Sequence, residues 1–178
     1  EQYMMLADLA YEGDIRKCLT LDAFRANCVG KQLGFQADYH INSYGVKFKI
    51  ENAMAMSVIH GIPVRREQWT AITLTMKEFE FDIYSENWHP YFKNGDRLTV
   101  TPAEVKVSYF LGKDGRLLLF LMNSGQAAVT ATVQFKSTQG LPMGHSLRDR
   151  LTGKWVKYFD GQLKMHLEPW KIQVLATE

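Results

Sequence analysis

The feature that most constrains the fold is a period-two alternation of apolar and polar residues, which begins near Arg97 and continues to the end of the chain. In one such segment Val105, Val107 and Tyr109 fall on one face and Ser108 on the other, as expected of a β-strand. The alternation predicts eight short strands: Arg97–Thr101, Glu104–Leu111, Arg116–Asn123, Ala128–Phe135, Ser146–Arg150, Lys154–Phe159, Gln162–Leu167 and Lys171–Ala176.

Short glycine-containing turns separate several of these segments. The hairpin signals are Gly112–Gly115, Thr152–Gly153 and Asp160–Gly161. Short strands at such regular spacing are typical of an antiparallel all-β sandwich. We therefore predict a C-terminal β-sandwich over residues 91–178, with a domain boundary near residue 90.

The first half of the chain alternates strands with helices. Strands are predicted for Met4–Tyr11 and Phe35–Tyr39, and helices for Leu21–Leu33, Ile50–His60 and Arg66–Tyr84. Two helix boundaries have clear signals. Thr20 is suited to be the N-cap of the first helix, and Gly61 closes the second.

A strand–helix–strand order implies parallel strands with helical crossovers. Two parallel strands alone would leave open sheet edges and exposed apolar faces. A complete (β/α)8 barrel needs roughly 250 residues. We therefore interpret residues 1–90 as the α/β remnant of a (β/α)8 barrel, the terminal units of a larger domain. The alternative is a compact α/β cap that folds back on the β-domain.

In barrels of this kind, functional side chains lie at the C-terminal ends of strands and in the loops that follow. Hydroxyl-binding or acid–base groups are present at both predicted strand ends. These candidate substrate-binding residues are Glu12, Asp14, Asp38, Tyr39 and His40. The structural alternative is that Glu12 and Asp14 solvate a turn and that Asp38 caps a helix or pairs with Arg16.

Composition argues against several other classes of protein. The net charge is +2, from 21 basic and 19 acidic residues without long runs of either sign, so we expect no nucleic-acid partner. No apolar stretch approaches the ~20 residues that span a bilayer, so we expect no membrane span. The five histidines show no metal-ligand spacing, and Cys18 and Cys28 are predicted to be reduced thiols. We expect no cofactor.

Tryptophan rings can stack on sugars, so each of the four tryptophans is a candidate binding platform. Trp69 belongs to the apolar stripe of its predicted helix, Trp88 is predicted to join the two domains, and Trp170 to belong to the core. Trp155, between lysines in a polar hairpin, is the one for which exposure is predicted.

The order of these features resembles a known family. The connector Asn87–Phe92 joins the terminal helix to the sandwich, Asp149–Lys154 matches the pattern D-x-x-T-G-K, and Leu167–Pro169 matches L-x-P before a last apolar strand. Together they resemble the C-terminal part of bacterial TIM-barrel glycoside hydrolases related to the N-acetylgalactosaminidase family. The similarity covers most of the chain, but its motifs belong to the sandwich and include no catalytic residue.

The resemblance implies the C-terminal part of a carbohydrate-active glycoside hydrolase, with carbohydrate and the remainder of the same polypeptide as partners. The catalytic residues remain unknown, because the acid pair of such enzymes lies on earlier barrel strands. We therefore expect the chain to be inactive alone. A bacterial source is implied, and the compartment, including a secreted or periplasmic one, is left open. The alternative function is a non-catalytic carbohydrate-binding or interaction module.

Overall fold

A computed structural model describes residues 9–11, 20–28, 31–32, 35–38, 50–62, 70–136 and 146–178. Antiparallel sheet is the largest regular component of this part of the chain, and it is accompanied by a few helices. The helices are α1 (Leu21–Cys28), α2 (Ile50–Ile59) and α3 (Thr70–Glu78). The strands are β1 (Leu9–Tyr11), β2 (Lys31–Gln32), β3 (Phe35–Asp38), β4 (Trp88–His89), β5 (Leu98–Thr101), β6 (Val105–Leu111), β7 (Leu117–Asn123), β8 (Val129–Phe135), β9 (Ser146–Asp149), β10 (Trp155–Phe159), β11 (Gln162–Leu167) and β12 (Ile172–Ala176).

All eight strands predicted for the second half are present, each within one residue of its predicted ends. They form a continuous sheet with β4, in the order β4-β6-β7-β12-β9-β10-β11-β8-β5. The sheet is continuous because β10 pairs with β9 through Trp155–Lys157 and with β11 through its last two residues. Its two halves curl around a shared core, so the β-rich fold is confirmed, in the form of one curved sheet.

Strand β7 explains how the helices attach to this sheet. Leu117, Leu119 and Leu121 lie in the core enclosed by the curled sheet, which we call the inner core. Their neighbours Leu118 and Phe120 lie in a second core, the outer core, which the sheet shares with α2 and α3. An unbroken apolar run, such as Leu117–Met122 in β7, is expected where both faces of a sheet are covered.

Two helix ends have the capping interactions that the local sequence predicts. Thr20 Oγ1 accepts a hydrogen bond from the Ala23 N–H at 3.1 Å, which confirms the predicted N-cap. At the end of α2, Gly61 has φ 80° and the Ile62 N–H bonds to the Ser57 carbonyl, as in a Schellman motif. The predicted closure by Gly61 is therefore confirmed.

Two helices end earlier than predicted. Helix α1 ends at Cys28 instead of Leu33, and Lys31–Gln32 forms β2 against β3. The sequence reason is that Val29 and Gly30 both disfavour helix. Helix α3 ends at Glu78 instead of Tyr84, where Glu80 takes φ 49°. This reversal places the Phe81 ring 5.0 Å from that of Trp88 in the outer core.

The connector after α3 is held by buried polar groups. Trp88 is buried, as its predicted joining role requires, and β4 pairs with β6. Ser108, on the face of β6 opposite Val107, is buried against α2: its hydroxyl donates to the Ile59 carbonyl at 2.7 Å and accepts from the Tyr91 N–H at 3.0 Å. Asn94 Nδ2 donates to the Val107 carbonyl at 2.8 Å. Among the residues described, no helix is both long and apolar enough to cross a membrane.

Candidate functional site

The first candidate site lies at the ends of two parallel strands. β1 pairs in parallel with β3, and the register places Leu9 beside Gln36 and Tyr11 beside Asp38. The C-terminal ends of the two strands therefore lie next to each other, as the strand–helix–strand order predicts. The third strand of this sheet, β2, pairs antiparallel with β3 on its other side.

The structure describes one of the five predicted site residues, Asp38, and not the other four. Asp38 is the last residue of β3 and lies beside the end of β1. Glu12 and Asp14, which follow β1, and Tyr39 and His40, which follow β3, lie outside the described residues. The strand pairing places the C-terminal ends of β1 and β3 side by side at one edge of the sheet. Their role in binding substrate stays a prediction.

The second candidate site surrounds Trp155 on β10. The strand alternates: Trp155 and Phe159 are 56% and 77% exposed, whereas Tyr158 between them is buried in the inner core. The predicted exposure of Trp155 is therefore confirmed. Trp155 borders a surface depression of about 420 Å³, which we call the Trp155 groove. Its wall also contains Asp114, Arg116, Ser146 and Glu178.

The charged groups of the Trp155 groove are paired with each other or with neighbours. Arg116 Nε lies 2.6 Å from Asp114 Oδ2, and Arg148, the cross-strand neighbour of Trp155, lies 2.7 Å from Glu178 Oε1. Hydrogen bonds from the Arg116 backbone and side chain lower the pKa of Asp114, and the bond to Asp114 raises the pKa of Arg116. Both groups are thus ionised at neutral pH, and the local charges balance.

Sequence reasoning found Trp155 but missed its polar neighbours. In the sequence, Asp114 belongs to a predicted hairpin turn and Glu178 stands at the end of the printed chain, so neither is marked as a neighbour of Trp155. They come together because β12 pairs with β7 and β9, which brings the end of the chain beside the turn before β7. No local pattern contains that long-range pairing. Among the described residues, no group of three His, Cys, Asp or Glu side chains could hold a metal ion.

Comparisons with known proteins give matches at the level of structure. No protein-family model and no curated protein matches the chain. The chain is similar to a GH27 β-L-arabinopyranosidase from Geobacillus stearothermophilus, with a TM-score of 0.54, 15% identity, and coverage of 96% of this chain and 44% of that one. A structure of that enzyme in complex with arabinose gives a TM-score of 0.54 at 14% identity, with coverage of 96% and 45%.

A candidate α-N-acetylgalactosaminidase from Bacillus halodurans is similar over 73% of this chain and 32% of that one, with a TM-score of 0.48 and 14% identity. The chain thus spans less than half the length of each of these structures. These structural neighbours are glycosidases, a GH27 β-L-arabinopyranosidase and a candidate α-N-acetylgalactosaminidase. At such low identity the likeness concerns the fold.

Proposed function

We propose that the chain is the C-terminal part of a glycoside hydrolase, in which β1 and β3 are the last strands of a (β/α)8 barrel. The observation that carries the proposal is the parallel pairing of β1 with β3 on either side of helix α1. Parallel neighbours joined through a helix are the repeating unit of such barrels. In this proposal, residues 1–90 belong to the barrel and residues 91–178 form an accessory β-domain.

The structural neighbours support this assignment through their fold. The similarity to the arabinopyranosidase extends over 96% of this chain, and therefore includes both the α/β part and the antiparallel sheet. The bacterial source and the terminal position in a longer polypeptide belong to the proposal. So does the hydrolysis of a glycosidic bond, which such enzymes carry out with two carboxylates on the barrel.

The proposed roles at the strand ends follow from barrel geometry. Asp38, with Glu12, Asp14, Tyr39 and His40 in the adjoining segments, would hold substrate hydroxyls at the barrel rim. Carboxylates and imidazoles suit this role because they accept hydrogen bonds from hydroxyl groups. The two catalytic carboxylates are proposed to lie on earlier strands, so the 178-residue chain by itself should be inactive.

The test compares the chain with the complete polypeptide encoded by its reading frame. Aryl β-L-arabinopyranosides, α-D-galactosides and N-acetyl-α-D-galactosaminides serve as substrates. We expect hydrolysis by the complete polypeptide and none by the chain alone. In the complete polypeptide, Asp38→Asn should raise KM about tenfold, which corresponds to the loss of one charged hydrogen bond.

Asp160→Asn is the matched control, because Asp160 lies in the β10–β11 turn and asparagine tolerates its φ of 49°. This variant should leave KM unchanged. Hydrolysis by the 178-residue chain alone would refute the placement of the catalytic pair. A reading frame without further barrel strands would refute the barrel assignment.

A second function is favoured by the Trp155 groove: a non-catalytic module that binds carbohydrate through the β-domain. An exposed indole beside balanced, hydrogen-bonding charges suits the apolar face and the hydroxyl groups of an uncharged sugar. A glycan array distinguishes the two functions. Binding that is lost in Trp155→Ala and retained in Asp38→Ala supports the module, and binding that depends only on Asp38 supports the hydrolase.

A further inference from the structure

A second depression lies where α1 meets the β-domain, and we call it the Tyr91 cavity. Its volume is about 480 Å³, within the range of roughly 300–1,000 Å³ that is typical of small-molecule sites. Tyr91 and Trp170 contribute aromatic side chains to its wall, and Thr20 and Asp22 contribute the start of α1. Lys106 and Gln126 supply further polar groups.

The hydrogen bonds of His60 to Met56 and to Tyr91 determine whether the Tyr91 hydroxyl can donate a hydrogen bond to a ligand or accept one from it. His60 is buried, and its Nδ1 lies 2.6 Å from the Met56 carbonyl oxygen, which can only accept, so Nδ1 carries the hydrogen. Burial lowers the pKa of His60 to about 4, so the ring is neutral at pH 7 and Nε2 is an acceptor. The Tyr91 hydroxyl, 3.2 Å from Nε2, therefore donates to His60.

Because its hydrogen is used in this bond, the Tyr91 oxygen is left to act as an acceptor. Burial raises the pKa of Tyr91, so the hydroxyl stays protonated. The side chain is also held in place: its backbone N–H bonds to Ser108, and its ring packs at 5.2 Å against Phe92. A ligand at this wall of the cavity must then donate a hydrogen bond to an oriented tyrosine oxygen.

The backbone of Trp170 is also held in a defined conformation. It has φ 57°, a conformation that is costly for a bulky residue and that is enriched at ligand sites. Its backbone N–H donates to the Asn123 carbonyl at 2.7 Å. Asn123 is fully buried, and its side-chain amide donates to the carbonyls of Ala127 and Leu167. A buried polar network thus fixes the backbone at Trp170, whose half-buried indole packs against the outer core and lines the cavity.

The lining of the cavity carries no net formal charge, since Asp22 supplies a carboxylate and Lys106 an ammonium group. Arg25, which is outside the lining, lies 3.8 Å from Asp22 and adds one positive charge nearby. Lys106 already donates one hydrogen bond to the Ala103 carbonyl and has two N–H groups left. Sugar hydroxyls both donate and accept, so they suit the Tyr91 oxygen, the carboxylate and the ammonium group together.

We infer that the Tyr91 cavity binds one pyranose ring of an uncharged carbohydrate, stacked on Trp170 and donating a hydroxyl hydrogen bond to the Tyr91 oxygen. The inference goes beyond the proposed function, because none of the residues that carry it is at the β1–β3 strand ends or in the Trp155 groove. It holds whether or not the chain belongs to a hydrolase.

Titration calorimetry of the 178-residue chain tests this site with methyl β-L-arabinopyranoside, methyl α-D-galactopyranoside and methyl α-D-glucopyranoside. Glycerol is the control ligand, since it has hydroxyl groups but no ring face. We expect saturable binding of at least one pyranoside and none of glycerol. Tyr91→Phe keeps the ring and removes the acceptor oxygen, so it should weaken binding about 3- to 10-fold.

Trp155→Ala is the matched control, because it removes the other candidate platform, and it should leave the affinity unchanged. Trp170→Ala should abolish binding. If circular dichroism shows that this variant is unfolded, Gln126→Ala replaces it, because Gln126 is exposed and its loss should weaken binding without affecting the fold. Absence of saturable pyranoside binding would overturn the inference. So would unchanged affinity in folded Tyr91→Phe, or binding that Trp155→Ala alone removes.

Discussion

At the scale of single residues, His60 is a buried imidazole whose pKa is lowered to about 4 by desolvation. Its ring lies between Phe24, Tyr91 and Phe92, and the charges near it are those of Arg25 and Asp22. The neutral ring is hydrogen-bonded on both nitrogens. Protonation of Nε2 would therefore place a positive charge in the interior. It would also remove the acceptor to which the Tyr91 hydroxyl donates.

Stability should consequently depend on His60 in mildly acidic solution. The pKa is about 4 in the folded chain, against 6.5 when unfolded, so between these values the unfolded chain binds a proton that the folded chain does not. The contribution is fully present above pH 6.5 and is lost as the pH falls towards 4. We expect the free energy of unfolding to drop by about 2 kcal/mol from pH 7 to pH 5 through this group.

Urea denaturation at both pH values measures the effect, with His60→Gln as the non-titrating control. The variant should be less stable at pH 7 but should lose less stability on acidification. An equal loss in both proteins would contradict the lowered pKa. Nitrogen chemical shifts of His60 provide a separate check, since the tautomer with hydrogen on Nδ1 is expected.

Tyr158 gives the opposite kind of prediction, a gain of stability. Its hydroxyl is buried, and no hydrogen-bond partner for it occurs among the residues that the structure describes. Removing a buried hydroxyl that has no partner should be favourable, so Tyr158→Phe should raise the free energy of unfolding by about 1 kcal/mol. Chemical denaturation measures this change.

Tyr91→Phe is the matched control, since the Tyr91 hydroxyl is hydrogen-bonded to His60 Nε2 at 3.2 Å. That variant should be destabilised. A loss of stability in Tyr158→Phe would show that its hydroxyl has a partner.

At the scale of secondary-structure elements, Ser108 connects helix α2, the connector and strand β6. The substitution Ser108→Ala leaves the Ile59 carbonyl and the Tyr91 N–H without this partner. Because the site is buried, we expect a loss of about 2–3 kcal/mol in the free energy of unfolding.

Ser146→Ala on strand β9 is the control, because Ser146 is exposed, and its effect should be below about 0.5 kcal/mol. Thermal unfolding of the two variants measures the difference. Equal effects would mean that the hydroxyl of Ser108 does not join α2 to the sheet.

At the scale of the whole molecule, the two cores share strand β7. Leu119 lies in the inner core and Phe120 in the outer core, so a cavity on either side weakens the same strand. We expect Leu119→Ala to cost about 2–5 kcal/mol and to lower the protection of α2 amides as much as that of β11 amides. Hydrogen exchange measures both.

The reverse experiment uses Phe120→Ala, which should lower protection in β11 although Phe120 faces the helices. A response confined to one core in either variant would show that the sheet and the helices unfold independently. It would then follow that the shared strand does not couple them.

The sequence by itself determined strands β5 to β12 of the antiparallel sheet, the N-cap at Thr20 and the closure of α2 at Gly61. These features depend on alternation and on turn and cap chemistry, which act between neighbours in the chain. It also predicted the parallel pairing of β1 with β3 and the exposure of Trp155 from its polar hairpin. The roles of Glu12, Asp14, Asp38, Tyr39 and His40 remain predictions.

Only the tertiary structure decided how these elements combine. The early end of α3 depends on the packing of Phe81 against Trp88, and the burial of Ser108 depends on α2. The Tyr91 cavity likewise brings together residues from α1, the connector, β6 and the turn before β12. Such contacts join residues far apart in the chain, so no local pattern encodes them, and they arise when the sheet curls and the helices cover its outer face.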